Sequence, residues 1–185
     1  TDPAGNFLYG YGVFNAPNGG PGFSAIGTGD GGPFQGQQYI NVYSDYNNGD
    51  HGNGNYIEAL VFQEQPVGGV NVGETWRLEF DFRRNPLVVN GQGDSTMFAF
   101  IKVLESSTGS FATLVEVERE VTGASPDAWA RSAIDLLIDP AYEGELLQFG
   151  FRSVATNFFD TGRYYDNLRF ARNAAPGLGD VLCLG

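Results

Sequence analysis

Cysteine, lysine, histidine and methionine each occur once in these 185 residues, as Cys183, Lys102, His51 and Met97. A single cysteine excludes an intrachain disulfide, so cysteine usage says nothing about the redox compartment. One histidine and one distant cysteine cannot assemble a zinc centre from those residues, nor a Cys–His nucleophile pair. Basic residues number ten against 22 acidic ones, giving a formal net charge of −12. Such a chain repels phosphate backbones and anionic lipid surfaces, so neither nucleic acid nor membrane is expected as a partner. No apolar run approaches the roughly 20 residues that a membrane-spanning helix needs. Residue 1 is Thr rather than Met, as in a chain whose leader has been removed or a segment cut from a longer one. A secreted, extracellular protein is the expectation.

What the chain has in quantity is glycine, proline and aromatic rings: 27 Gly, nine Pro, 15 Phe, nine Tyr and two Trp. Abundant turn formers and apolar residues at 42% favour an ordered all-β domain over a helical or disordered one. Residues 1–36 are turn-rich, with "NFLYGYGVF" as a loose strand and a second short strand at Phe23 to Ile26. From residue 37 the period-two signal is clear. "QQYINVYS" and "YIEALVFQEQ" read as strands. "VNVGETWRLEFDFRRN" sets Trp76, Leu78, Phe80 and Phe82 against Arg77, Glu79, Asp81 and Arg83. "STMFAFIKVLE" is apolar on both faces, as a central strand would be. "FATLVEVEREV", "AWARSAIDLLI", "ELLQFGFRSV" and "GRYYDNLRFA" complete the set. In "SPDAWARSAIDLL", Ser125 as N-cap and Pro126 in a first turn also fit a helix start, but the strand reading takes precedence. Eight to ten regularly spaced strands predict an all-β fold, an antiparallel two-sheet β-sandwich of jelly-roll type. The sandwich is expected over residues 1–172, with 173–185 as a C-terminal tail or linker.

Two constellations invite a chemical reading. "YSDYNNGDHGNGNY" contains Asp45, Asn47 and Asp50, hard oxygen donors that suit calcium. It is not an EF-hand, because position six is Asp50 rather than Gly and Tyr56 stands in place of the terminal Glu. As a polar hairpin loop it needs no metal, since Asn, Asp and Gly tolerate left-handed backbone. Glu79 and Asp81, about 6.7 Å apart by strand rise, are the pair to test for hydrolysis. Arg77 and Arg83 on the same face are expected to neutralise them, so no catalytic residue is assigned and the chain is read as a non-enzyme. Glu116, Glu118 and Glu120 form an acidic stripe that reads as a solvated face.

"NVGETWRLEFDFR", "AWARSAIDLLI", "LLQFGFRSV" and "GRYYDNLRFA" resemble successive strands of the jelly-roll carbohydrate-binding modules attached to xylanases and glucanases. The likeness covers roughly residues 37 to 171. It implies a polysaccharide partner and a structural calcium on the Asp of the closing strand, here Asp166. Asp166 shares a face with Tyr164, Leu168 and Phe170 in a regular strand, and a carboxylate there needs a cation or backbone N–H groups. Where the family supplies a second acid, this chain has Ser24, and Asp30 is the nearest replacement. Asp166, Asp30, Asp45 and Asp50 are therefore the candidate calcium ligands.

Sugar rings stack on aromatic side chains while polar neighbours fix their hydroxyls. Tyr43, Tyr46, Tyr56, Phe158 and Phe159 are the rings in or beside loops, with His51, Gln148, Arg152 and Arg163 as hydrogen-bonding neighbours. The expected function is non-catalytic, calcium-supported binding of an extracellular polysaccharide. The alternative is a self-assembling structural or adhesive protein, a homo-oligomer in which "NFLYGYGVF" or "GDVLCLG" adds a strand to a neighbour's sheet edge.

Overall fold

A computed structural model describes residue 4 and residues 24–29, 31–44, 56–85, 96–125, 127–156 and 161–173. Both terminal segments assigned to strand addition, and the tail 174–185, lie outside the described residues. Nine strands carry the fold: β1 (Ala25–Thr28), β2 (Gln38–Ser44), β3 (Tyr56–Pro66), β4 (Thr75–Arg84), β5 (Thr96–Leu104), β6 (Thr113–Glu120), β7 (Ala130–Leu137), β8 (Leu146–Thr156) and β9 (Thr161–Arg172). Two single 3-10 turns, at Gly69–Asn71 and Pro140–Tyr142, are the helical elements among the described residues. The helix start signal at Ser125 is overridden, because "ARSAIDLL" pairs along its length with β4, from Thr75↔Leu137 to Phe82↔Ala130. Ile134 and Leu136 then alternate into the core, which only an extended backbone permits.

The strands form two antiparallel sheets ordered β1-β2-β9-β4-β7 and β3-β8-β5-β6. Without β1, the orders 2-9-4-7 and 3-8-5-6 are those of an eight-stranded jelly roll, in which successive strands cross between sheets except at the β5–β6 hairpin. From residue 37 onward the strands read from the sequence are those observed, as is the fold class; β1 starts two residues later than expected, and the strand read at "NFLYGYGVF" lies outside the described residues.

The sheets meet through apolar side chains that alternate along each strand. Leu78 and Phe80 of β4, Met97, Ala99, Ile101 and Val103 of β5, and Leu147 of β8 are buried between the layers. At the centre Phe151 of β8 stacks on Tyr165 of β9, ring centroids 3.6 Å apart and 17° from parallel, while Phe80 meets Phe151 edge-on at 5.3 Å. A second stack, Phe149 on Phe170 at 3.9 Å, lies nearer one end and has Trp76 beside it at 5.0 Å. Each stack joins one sheet to the other.

Between β4 and β9 the register slips: Glu79 pairs with Arg169 but Asp81 with Asp166, so β9 carries one extra residue. That is a β-bulge, and Asn167 takes the left-handed backbone it requires, at φ 50°. The extra residue inverts the alternation of β9, so Tyr165 points inward before the bulge and Phe170 after it. The expected face shared by Asp166, Leu168 and Phe170 is therefore broken: Leu168 is exposed while Phe170 packs on the core.

Truncating the central ring should be severe. Phe151→Ala is expected to lower the unfolding free energy by about 3–5 kcal/mol, through lost transfer energy and an unfilled cavity. Urea denaturation followed by tyrosine and tryptophan fluorescence measures it, and a loss below about 1 kcal/mol would show the stack to be dispensable.

Candidate functional site

The outer face of the β3-β8-β5-β6 sheet gathers rings and charged groups in cross-strand rows. Leu60, Arg152, Phe98 and Glu120 form one row, and Phe62, Gly150, Phe100 and Glu118 the next. Glu64, Gln148, Lys102 and Glu116 form the third, and Tyr56 continues the same face at the start of β3. Gly150 is dictated by space: a Cβ there would stand 2.1 Å from the Val61 carbonyl and 2.7 Å from Phe62 Cα. The backbones of β3 and β8 thus come close where Phe62 projects.

Arg152 is the electrostatic centre of this face. Its guanidinium lies 5.0 Å from the centre of the Phe98 ring. It pairs with Glu118, and more distantly with Glu58 and Glu116, each at 3.9 Å. Burial raises the Glu118 carboxyl, with Arg152 pulling the other way and the Glu116 charge adding to the rise. Gln148 donates to Glu64 at 2.6 Å, and Lys102 Nζ sits 5.0 Å over the Phe100 ring. Tyr56 and Phe62 are each 38% exposed, which leaves ring surface available beside fixed donors and acceptors.

Of the residues assigned to ligand binding from the sequence, Tyr56, Gln148 and Arg152 come together here, although Gln148 is largely buried. Tyr43 lies in β2 and is buried, with its N–H donating to Ser24 Oγ at 3.2 Å. Ser24 thereby ties the segment before β1 to the end of β2. Arg163 is 0% exposed and faces inward. Its Nε donates to the Val121 carbonyl at 3.1 Å, Nη1 to Gly162 at 2.8 Å, and Nη2 to Thr122. It clamps β9 of one sheet to the turn that follows β6 of the other, and burial lowers its pKa to about 10, which leaves it charged at neutral pH. A guanidinium spent on three backbone carbonyls is a structural group. Tyr46, His51, Phe158 and Phe159 lie outside the described residues.

Phe62 and Phe98 were missed as site residues because β3 and β5 are apolar on both faces, and period alone does not say which face is outward. The available signal was Gly150, a glycine inside a strand, which marks close backbone approach.

The metal candidates are only partly on view. Asp30, Asp45 and Asp50 lie outside the described residues. Asp166 Oδ1 accepts the Asn167 N–H at 2.6 Å, while its buried Oδ2 has no hydrogen-bond partner among the described residues. An orphaned carboxylate oxygen fits a calcium ligand. No group of three or more His, Cys, Asp or Glu able to hold a metal occurs among the described residues.

The Glu79 and Asp81 pair is committed elsewhere. Asp81 is 3% exposed and accepts from Gln35 Nε2 at 2.7 Å, Arg131 Nε at 2.7 Å and Asn167 Nδ2 at 2.7 Å. Burial pushes its carboxyl up, but the bonds from Arg131, Asn167 and Gln35 outweigh burial and hold it below the usual range. Arg131, not Arg83, is its cation; Arg83 instead lies against the Tyr164 and Trp129 rings at 5.3 and 5.4 Å. Glu79 faces Arg169 at 3.4 Å and Arg77 at 3.9 Å.

Against solved structures, the chain matches a module described under "promiscuous specificity of the carbohydrate-binding modules from the beta-sandwich super family". The TM-score is 0.50 at 14% identity, over 80% of this chain and 52% of that one. The likeness is one of fold, a two-sheet antiparallel β-sandwich. The enzymatically active domain of bacteriophage CBA120 tailspike protein 4 is similar at TM-score 0.52 and 10% identity, over 80% of this chain and 17% of that one. The CBM22-1 xylan-binding domain of Paenibacillus barcinonensis Xyn10C aligns at 0.43 and 11% identity, over 82% of this chain and 81% of its own. The chain thus spans about half of the first of these structures and a sixth of the second. No family model matches the sequence, and no curated protein matches it either.

Asp81 gives a pH-linked test. Its folded-state pKa lies below the unfolded value near 3.8, so its stabilisation is full above that value and is lost as pH falls through the lower one. Asp81→Asn is expected to cost about 2 kcal/mol at pH 7. The gap from wild type should close below about pH 4. Equal denaturation midpoints at pH 7 would show that the network adds nothing.

Proposed function

We propose that the chain is a non-catalytic module that binds a neutral polysaccharide through the outer face of the β3-β8-β5-β6 sheet. The observation that carries this reading is the row arrangement there. The exposed rings of Tyr56 and Phe62, with Phe98, share one face with Arg152, Gln148 and Glu58, and hydroxyl-rich sugar rings need both kinds of contact. Five glutamates against one arginine and one lysine on this face disfavour an anionic polymer. The fold shared with a carbohydrate-binding module supports the reading, as does the engagement of Glu79 and Asp81 by arginines. A polysaccharide partner of this kind, met outside the cell, is in keeping with secretion. No helix of the described residues is long and apolar enough to cross a membrane.

Phe62→Ala should weaken retardation in native gels containing soluble neutral polysaccharides by about tenfold, the equivalent of losing one ring stack. The melting temperature should change little, because Phe62 is exposed. Unchanged retardation in Phe62→Ala and Arg152→Met alike would rule this face out, and no retardation of the wild type across a broad glycan panel would sink the function.

A structural calcium belongs to the same proposal, with Asp166 Oδ2 as its ligand among the described residues and Asp30, Asp45 and Asp50 as the acids to complete it. Calcium should raise the melting temperature of the wild type, EDTA should lower it, and Asp166→Asn should abolish the difference. A wild-type melting temperature indifferent to both would refute the site.

A further inference from the structure

We propose that the opposite face of the sandwich holds a second binding site, selective for an acidic sugar residue such as a uronate. A cleft of about 680 Å³ opens on the outer face of the β1-β2-β9-β4-β7 sheet, a size that accommodates one or two sugar rings. It is separate from the face assigned above and does not depend on it.

Two aromatic side chains line this cleft. Phe34 is 81% exposed, an apolar ring held in water by the loop before β2, and Trp129 is half-buried at the entry to β7. Two guanidiniums share the cleft with them. Arg131 spends Nε and Nη2 on Asp81, yet its side chain remains 70% exposed, so its outer hydrogens point to solvent. Arg169, also 70% exposed, holds Glu79 only at 3.4 Å. A smaller depression sharing Glu79 and Arg169 adds Arg77 and Arg172. Arg77 is held by both oxygens of Asp135, and Arg172 lies near Glu74 and donates to the Val70 carbonyl, so Arg131 and Arg169 are the most open guanidiniums of the four. Each of the four thus has an acid beside it, whereas the opposite face sets five glutamates against one arginine and one lysine.

The floor is built rather than incidental. Gln35 is buried, and its Nε2 is fixed on Asp81, while its Oε1 accepts nothing among the described residues. The Trp129 indole N–H likewise has no partner among them. Both side chains pack directly over Gly32, where a Cβ would stand 2.3 Å from Gln35 Oε1 and 2.6 Å from Trp129 Cδ1, so only glycine fits beneath them. Two rings beside two exposed guanidiniums match a sugar that offers an apolar ring face and a carboxylate. A neutral sugar would use the rings alone, whereas a carboxylate can also accept from the guanidinium hydrogens that Asp81 and Glu79 leave to solvent.

The test is a titration of the full chain, labelled with ¹⁵N, with oligogalacturonate and with its neutral methyl ester. The readout is the Trp129 indole N–H resonance, assigned by its loss in Trp129→Phe. The acid oligomer is expected to shift that resonance saturably, and the ester to bind at least tenfold more weakly. Arg169→Gln should weaken acid binding by about tenfold and erase the distinction between acid and ester. Phe34→Ala should weaken both, and Phe62→Ala on the other face should change neither. Both Arg169 and Phe34 are exposed, so unchanged resonances elsewhere confirm that these variants are folded. Equal binding of acid and ester, loss of binding in Phe62→Ala, or no shift of the Trp129 resonance at millimolar oligomer overturns the proposal.

Discussion

A carboxylate removed from water must stay ionised or lose its purpose, and Asp81 is held to that condition from three directions. Arg131 reaches it from β7, Asn167 from the bulge in β9, and Gln35 from the loop before β2. Burial of the charge is offset only because all three donors are in place. The bulge matters most, since the extra residue in β9 brings the Asn167 amide to Asp81 and also inverts the strand's alternation. One polar centre therefore ties together the sheet's central strand, its neighbour, its edge strand and its covering loop. It fixes the floor on which Phe34, Trp129 and the exposed arginines are arranged.

The stacked rings at the middle of the sandwich set how the two outer faces relate. Phe151 against Tyr165 and Phe149 against Phe170 bond the central strands of the two sheets, so the outward-facing side chains of β8 and β9 point in opposite directions. Arg163 reinforces the join with hydrogen bonds from one sheet to the turn of the other. The result is two surfaces of unlike chemistry on one core. One has glutamates grouped around a single arginine beside aromatic rings, and the other has arginines grouped around satisfied acids.

Strand positions were legible because hydrophobic alternation is a local property, and β4, β6 and β8 display it in full. What was not legible were departures from alternation. Tyr164, Asp166, Leu168 and Phe170 look coplanar by count, but the bulge at Asn167 breaks the count, and only cross-strand register reveals it. Arg163 looked like a surface ligand because arginine is usually exposed, whereas its partners are backbone carbonyls distant in sequence. The tyrosines near the polar loop divide likewise: Tyr56 is exposed at the start of β3, and Tyr43 is buried in β2. Phe34 and Trp129 carry no pattern at all, since each stands in a loop or at a strand entry.

By itself the sequence determined an all-β sandwich, its strand boundaries within a few residues, and a charge that disfavours nucleic acid and anionic lipid. These follow from composition and short-range periodicity, which need no knowledge of neighbours. Tertiary structure alone decided which apolar face turns outward, which arginine pairs with which acid, and where rings meet donors. Those outcomes depend on register between strands far apart in the chain, and a single inserted residue in one strand is enough to reassign them.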